Sequence, residues 1–162
     1  MCGIAGKTDW ENEITEISST VKSMTDRLIH RGPDNEGIVN LESITLGHRR
    51  LSIIDLSSKA NQPMKSPDGR YHIVYNGEVY NFQEIRNELK KLGVNFQTHS
   101  DTEVILNSFA TYGTDCFRMF NGMFALAIWD KLKRELILAR DRFGKKPLYY
   151  YIHKHKHVTL AP

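Results

Sequence analysis

Four short apolar segments close the chain in quick succession, at residues 123–129, 135–140, 147–152 and near 157–160, with only tight turns between them. Strands spaced so closely leave no room for the crossover helices that parallel neighbours need, so they read as an antiparallel meander. Upstream, two strand-like stretches (residues 2–7 and 43–55) flank a helical one, and a third strand-like stretch (residues 71–75) precedes two more helical ones. Strands, then helices, then strands again lack the regular alternation of a parallel α/β sheet. An antiparallel α+β layered fold fits this order best.

The helical stretches are set by spacing. Ile14, Ile17, Val21, Met24 and Leu28 fall on one face of a helix over residues 13–29. His30-Arg31-Gly32-Pro33 reads as its terminator, with Gly32 just past the end. Phe82, Ile85, Leu89 and Leu92 mark a second helix that Gly93 stops. Ser100-Asp101-Thr102-Glu103 is a capping box opening a third, in which Ile105, Phe109 and Tyr112 face inward. A short further helix is expected at residues 115–120, and residues 56–69 form a polar loop.

With 162 residues, 40% hydrophobic and 25% charged, the chain is expected to be one domain over residues 1–162. A chain this long buries about 70% of its unfolded surface and needs no covalent staples. The net charge of +3 is mild and its Lys and Arg are scattered, which gives no footprint for nucleic acid. The first residues lack the basic start and apolar stretch of a signal peptide, and the longest apolar run, residues 123–129, is too short to span a bilayer. Cys2 and Cys116 are too few for a disulfide framework, so a reducing, cytoplasmic setting is expected.

Chemistry-bearing candidates stand out against this background. Removal of Met1 would give Cys2 a thiol and a free α-amine together. The amine, with an ordinary pKa of about 7.7–8.0, is partly neutral at pH 7 and can take the thiol proton. The plainer reading is a small residue on a buried strand. Asn76-Gly77 between apolar residues is first a type I′ hairpin signal. Alternatively, the Asn76 amide and the Gly77 N–H form an oxyanion hole for a thiolate attacking a carboxamide. Arg49 and Arg50 point to opposite faces of a strand, so at most one can bind a substrate carboxylate, and periodicity does not choose between them. Asp101, in the first turn of a helix, is favoured there by the helix dipole, or it pairs with a substrate ammonium. His153, His155 and His157 alternate on one strand side; a metal site is one reading, a solvated face the more usual one, and no metal or cofactor is expected.

Met1-Cys2-Gly3-Ile4, His30-Arg31-Gly32-Pro33-Asp34, Arg50-Leu51-Ser52-Ile53, Asn76-Gly77-Glu78-Val79-Tyr80-Asn81, Ser100-Asp101-Thr102-Glu103 and Arg140-Asp141-Arg142-Phe143-Gly144 occur in that order. This set resembles the class II glutamine amidotransferase (glutaminase) domain of asparagine synthetases over essentially the whole chain. The resemblance implies the N-terminal-nucleophile (Ntn) hydrolase fold, a four-layer αββα sandwich with two antiparallel sheets. It implies Cys2 as nucleophile, Asn76 and Gly77 as oxyanion hole, Arg50 for the glutamine α-carboxylate, and Asp101 with Glu78 for the α-amine. Backbone groups of Leu51, Ser52, Ile53 and Ile54 would line the pocket. Glutamine is the implied substrate, and a synthetase domain, in cis or in trans, the implied acceptor of ammonia. The pyrophosphate loop of such a domain is not found in these residues, so the chain reads as a domain cut from a longer protein or a stand-alone glutaminase subunit. A homo-oligomer stays open. The rival readings are a non-catalytic glutamine-binding or docking domain, and an ammonia donor to a sugar or other non-aspartate acceptor.

Overall fold

The protein is described as a computed structural model over residues 1–8, 14–153 and 157–161. In chain order its elements are strand β1 (Gly3–Thr8), helix α1 (Ile14–Arg27), strands β2 (Asn35–Leu41), β3 (Ile44–Arg50), β4 (Met64–Lys65) and β5 (Tyr71–Val79), helices α2 (Phe82–Lys91) and α3 (Asp101–Tyr112), and strands β6 (Gly122–Asp130), β7 (Glu135–Arg140), β8 (Tyr149–His153) and β9 (His157–Ala161). The strands form two sheets in the orders β2-β3-β1-β9-β8 and β4-β5-β6-β7, with antiparallel pairing throughout.

Period-two alternation explains the layers. In β5 and β6, Ile73, Tyr75, Phe124, Leu126 and Ile128 face α2 and α3 and join Ile85, Leu89, Val104, Ile105 and Phe109 in one core. Their neighbours Val74, Ala125, Ala127 and Trp129 face the other sheet and pack on Ile4, Leu46 and Leu160. Ala5 of β1 turns to the far side, against Ile17 and Val21 of α1. The order of layers is therefore α1, sheet, sheet, α2 with α3. Because β6 is buried on both faces, it reads as one continuous apolar run instead of an alternating one.

Several expectations change. The late strands are not one meander: β6 and β7 complete one sheet, whereas β8 and β9 cross to the other, where β9 pairs with β1 and β8 with β9. A turn makes the crossing, its buried Asp141 accepting from the N–H groups of Phe124, Phe143, Lys145 and Lys146 at 2.9–3.1 Å. The long arm expected at residues 43–55 ends as strand at Arg50 and pairs with β2, a partner too polar to read as a strand. Gly32 is not a helix cap. Helix α1 ends earlier, and a Cβ on Gly32 would lie 2.3 Å from Arg49 O, so glycine is required for close approach. Leu92, expected to share one helix face with Phe82, Ile85 and Leu89, instead caps the end of α2 and is exposed.

Only half of the capping box forms. Ser100 Oγ accepts from Glu103 N–H at 3.3 Å, but the Glu103 carboxylate turns to Gln97 N–H, Thr98 N–H and Thr98 Oγ1 at 2.7–2.8 Å, and Ser100 N–H donates to Thr98 Oγ1. Ser100→Ala is expected to lower stability by about 1 kcal/mol, read from urea unfolding; an unchanged midpoint would show the cap to be idle.

Candidate active site

The two sheets contribute their inner faces to one end of the space between them. Alternation along β3 sends Leu46, His48 and Arg50 inward and Gly47 and Arg49 toward α1. Arg49 is there engaged by Thr25 O at 3.0 Å, Asp26 at 2.9 Å and Glu36 at 3.0 Å. The choice that periodicity left open falls on Arg50, which lines the pocket with Cys2. The same pocket is lined by Leu51, Ile53 and Ile54, by Asn76, Gly77 and Glu78 of β5, and by Asp101 of α3. Ser52 does not line it. Its N–H instead donates to Asp34 Oδ2 at 2.7 Å, tying the pocket rim to the segment after α1.

Cys2 lies just before β1, half-buried. Its Sγ accepts from Leu51 N–H at 3.4 Å, and its carbonyl accepts from Arg31 Nε at 3.1 Å. Burial pushes the thiol above its ordinary pKa; the Leu51 N–H, the chain-terminal amine and Arg50 pull it down, and Asp101 pushes it up again.

Asn76 and Gly77 do not form a hairpin turn. They continue β5, opposite Ala125 and Phe124 of β6. A Cβ on Gly77 would lie 2.3 Å from Met123 O and 2.6 Å from Phe124 Cα, so the residue is glycine because a neighbouring backbone occupies the space. Asn76 is 1% exposed, and its Nδ2 has no partner among the described residues. An amide so buried ordinarily finds one, and a donor left open on a pocket wall is a place for a substrate oxygen.

Arg50 holds the rim. Its Nη1 donates to Ser57 O at 2.8 Å and Asn61 Oδ1 at 2.7 Å, and its Nη2 to Asp55 O, so part of its fork organises the loop and part remains for a ligand. Asp101, 4% exposed, accepts from Tyr75 Oη at 2.7 Å and Val79 N–H at 3.2 Å. Burial raises its pKa against those donors, and no cation pairs with it among the described residues. Tyr75 is driven well above the ordinary phenol range by burial and the adjacent carboxylate, so it stays a donor. A buried, cation-free carboxylate on a pocket wall suits a ligand's ammonium group.

Residues beyond the sequence reading complete the walls. Gln62, from the polar loop, accepts from Tyr75 N–H at 2.6 Å and donates to Thr102 Oγ1 at 3.3 Å. Its only sequence signal was polarity within a loop. Met123 and Lys146 also line the pocket. Behind Tyr75, His48 is fully buried with Nε2 3.1 Å from Tyr75 O; burial drives its pKa down to about 4, so it is neutral at pH 7. Among the described residues no group of His, Cys, Asp and Glu is placed to hold a metal, and no helix is long and apolar enough to cross a membrane. His155, of the alternating histidines, lies outside the described residues, as do Lys154 and Lys156.

Known proteins resemble this chain in sequence and in fold. Asparagine synthetase [glutamine-hydrolyzing] 3 of Bacillus subtilis is 40% identical over 152 residues, 93% of this chain and 25% of its own length. A putative asparagine synthetase [glutamine-hydrolyzing] 2 of Methanocaldococcus jannaschii is 41% identical over 169 residues, 93% of this chain and 32% of its own. Amidase chry2 of Gibberella zeae is 37% identical over 143 residues, 87% of this chain and 21% of its own. The chain thus spans about a fifth to a third of the length of these relatives. Among solved structures, the glutamine phosphoribosylpyrophosphate amidotransferase of B. subtilis superposes with a TM-score of 0.81 at 22% identity, over 99% of this chain and 41% of that one, which establishes the shared αββα sandwich. The family model described as the glutamine amidotransferase domain matches residues 1–162, and the chain belongs to that family.

Proposed function

We propose that this glutamine amidotransferase domain hydrolyses the side-chain amide of glutamine with Cys2, freed by removal of Met1, as nucleophile. The observation that carries the reading is the unpartnered amide of Asn76, buried in the wall of the pocket that holds the thiol. The Cys2 α-amine takes the thiol proton, and the thiolate attacks the amide carbonyl. The oxyanion collects hydrogen bonds from Asn76 Nδ2 and Gly77 N–H. The C–N bond breaks, the protonated α-amine gives its proton to the leaving nitrogen, and ammonia departs. Water then cleaves the γ-glutamyl thioester, releasing glutamate and restoring the thiol. Arg50 holds the α-carboxylate, and Asp101, with Glu78 at the mouth, holds the α-ammonium. Gripped at both ends, asparagine would present its amide one methylene short of the thiolate.

The ammonia passes to a synthetase-type domain, in cis or in trans. The relatives named asparagine synthetase [glutamine-hydrolyzing] favour aspartate as the acceptor. A relative named amidase at 37% identity keeps a second reading in view, a different acceptor served by the same glutaminase half.

Intact-mass measurement after treatment with a diazo-ketone analogue of norleucine tests the nucleophile. Loss of Met1 and a single adduct, blocked by glutamine, is expected; retained Met1, or no adduct once Met1 is gone, would sink the assignment. Asp101→Asn tests the ammonium grip and is expected to lower kcat/KM by about 10–100-fold, chiefly through KM. Because the Asp101 pKa is raised, the parent's KM should climb on acidification at a higher pH than an ordinary carboxylate would cause. A KM that moved in neither case would remove Asp101 from the substrate site.

A further inference from the structure

Lys146 has no role in the steps above, yet it lies 6% exposed in the wall of the pocket that holds Cys2. Its backbone is clamped by the Asp141 carboxylate, which also takes the N–H groups of Lys145, Phe143 and Phe124. Its Nζ pairs with no carboxylate among the described residues. The partner it does have is the Met1 thioether, with Nζ 2.8 Å from Sδ. Lysine is almost never this buried unless paired, and a thioether is a weak acceptor. Met1 is also the residue that must leave before Cys2 can have a free amine. Its departure removes the partner of Lys146 and leaves that ammonium lining the same pocket as Cys2, whose α-amine is then free.

We propose that Lys146 is the electrostatic partner of the mature nucleophile, its Nζ favouring the ionised thiol and the neutral α-amine of Cys2. This rests on the reading of Cys2 as an N-terminal nucleophile. One cation moves both equilibria in the productive direction: it lowers the pKa of the thiol by attraction and that of the amine by repulsion. The need is physical, because burial pushes the thiol up. Of the other charged and titratable side chains on the pocket, only Arg50 also draws the thiol down. Arg50 of β3 is engaged by the rim loop and by the substrate carboxylate it is assigned. Asp101 of α3, Glu78 of β5 and Asp55 of the rim all oppose ionisation of the thiol. Tyr75 of β5 and His48 behind it are neutral.

The test uses the chain of residues 2–162 released from a cleavable fusion, with Cys2 as its first residue, so that Met1 processing cannot differ between variants. Ultraviolet absorbance of the thiolate is followed against pH. Cys116, buried and pushed up to about 12, stays silent through the working range. Lys146→Met, which keeps the apolar stem, is expected to raise the midpoint by about one pH unit, leaving about tenfold less thiolate at neutral pH. Lys146→Arg is expected to restore the parent midpoint, which a merely structural role would not require; Lys146→Gln replaces the Met variant if that one melts early. A Lys146→Met or Lys146→Gln midpoint equal to the parent's would overturn the proposal. Glutamine hydrolysis by the parent is measured beside it. A parent that hydrolyses no glutamine while the midpoints shift as expected would sink the glutaminase reading and leave this inference standing.

Discussion

Cys2→Ala is expected to abolish glutamine hydrolysis, with a loss on the order of 10⁶-fold in kcat, as when the nucleophile of a catalytic set is deleted. Nothing else on the pocket wall can replace it. Among the described residues the other cysteine is Cys116, which packs in the helix-side core away from the pocket, with its pKa raised to about 12 by burial. The fold should hardly register the change. Cys2 precedes β1 and is half-buried; the hydrogen bonds of its side chain among the described residues are sulfur contacts to Leu51 at 3.4 and 3.8 Å, and the bond its carbonyl accepts from Arg31 survives in alanine. Thermal unfolding within a few degrees of the parent, together with an absent glutamate signal, is the expected pair of results. Residual turnover above a tenth of the parent rate would mean that another group carries out the attack.

Asn76→Ala should be the second most damaging change, lowering kcat by about 10²–10³-fold with KM little altered. The asymmetry follows from where charge develops. The amide oxygen of bound glutamine is neutral, so its hydrogen bond to Asn76 Nδ2 is modest; in the tetrahedral intermediate the same oxygen is an anion in a site sheltered from water. Asn76→Asp should be worse than alanine, since it sets a carboxylate where negative charge must form. Steady-state kinetics separates the possibilities: a variant that raised KM at constant kcat would make Asn76 a ground-state contact and leave the oxyanion to the backbone.

How far the sequence disclosed all this depends on whether each cause was local. The helices were legible because their causes lie within a few residues: the spacing of Ile17, Val21 and Met24, and Gly93 at φ 87° closing α2. Asn76-Gly77 was ambiguous for the opposite reason. Locally the pair is a turn signal; what makes it strand is the Met123 carbonyl on a distant segment, 2.3 Å from where a Cβ would be. Arg49 and Arg50 were equivalent by alternation, and the asymmetry between them comes from Asp26 and Glu36 waiting on one side only. Lys146 carried no signal because its burial comes from the turn through which the chain leaves the sheet of β6 and β7, and Gln62 showed only polarity because its partners, Tyr75 and Thr102, lie on distant elements. The crossing was hidden by turns that look alike whether the chain stays in a sheet or changes sheets. The ordered motifs made the family legible, and with it the sandwich, which the spacing of the late strands alone misassigned to one meander.

The division of the pocket between the sheets has a consequence for the order in which the protein fails. Cys2 and Arg50 belong with one sheet and Asn76 and Gly77 with the other, while each sheet closes its own hydrogen-bonded ladder. Between them lies mainly the interdigitation of residues such as Ile4, Leu46, Val74 and Trp129, with the hydrogen bond between His48 and Tyr75 beside it and no disulfide among the described residues. A loosened, still compact state can therefore keep nearly all of its strand content while thiol and amide drift apart. Catalysis in this architecture is a property of the seam, and it would be lost at the first loss of tertiary order, while the backbone still looked native.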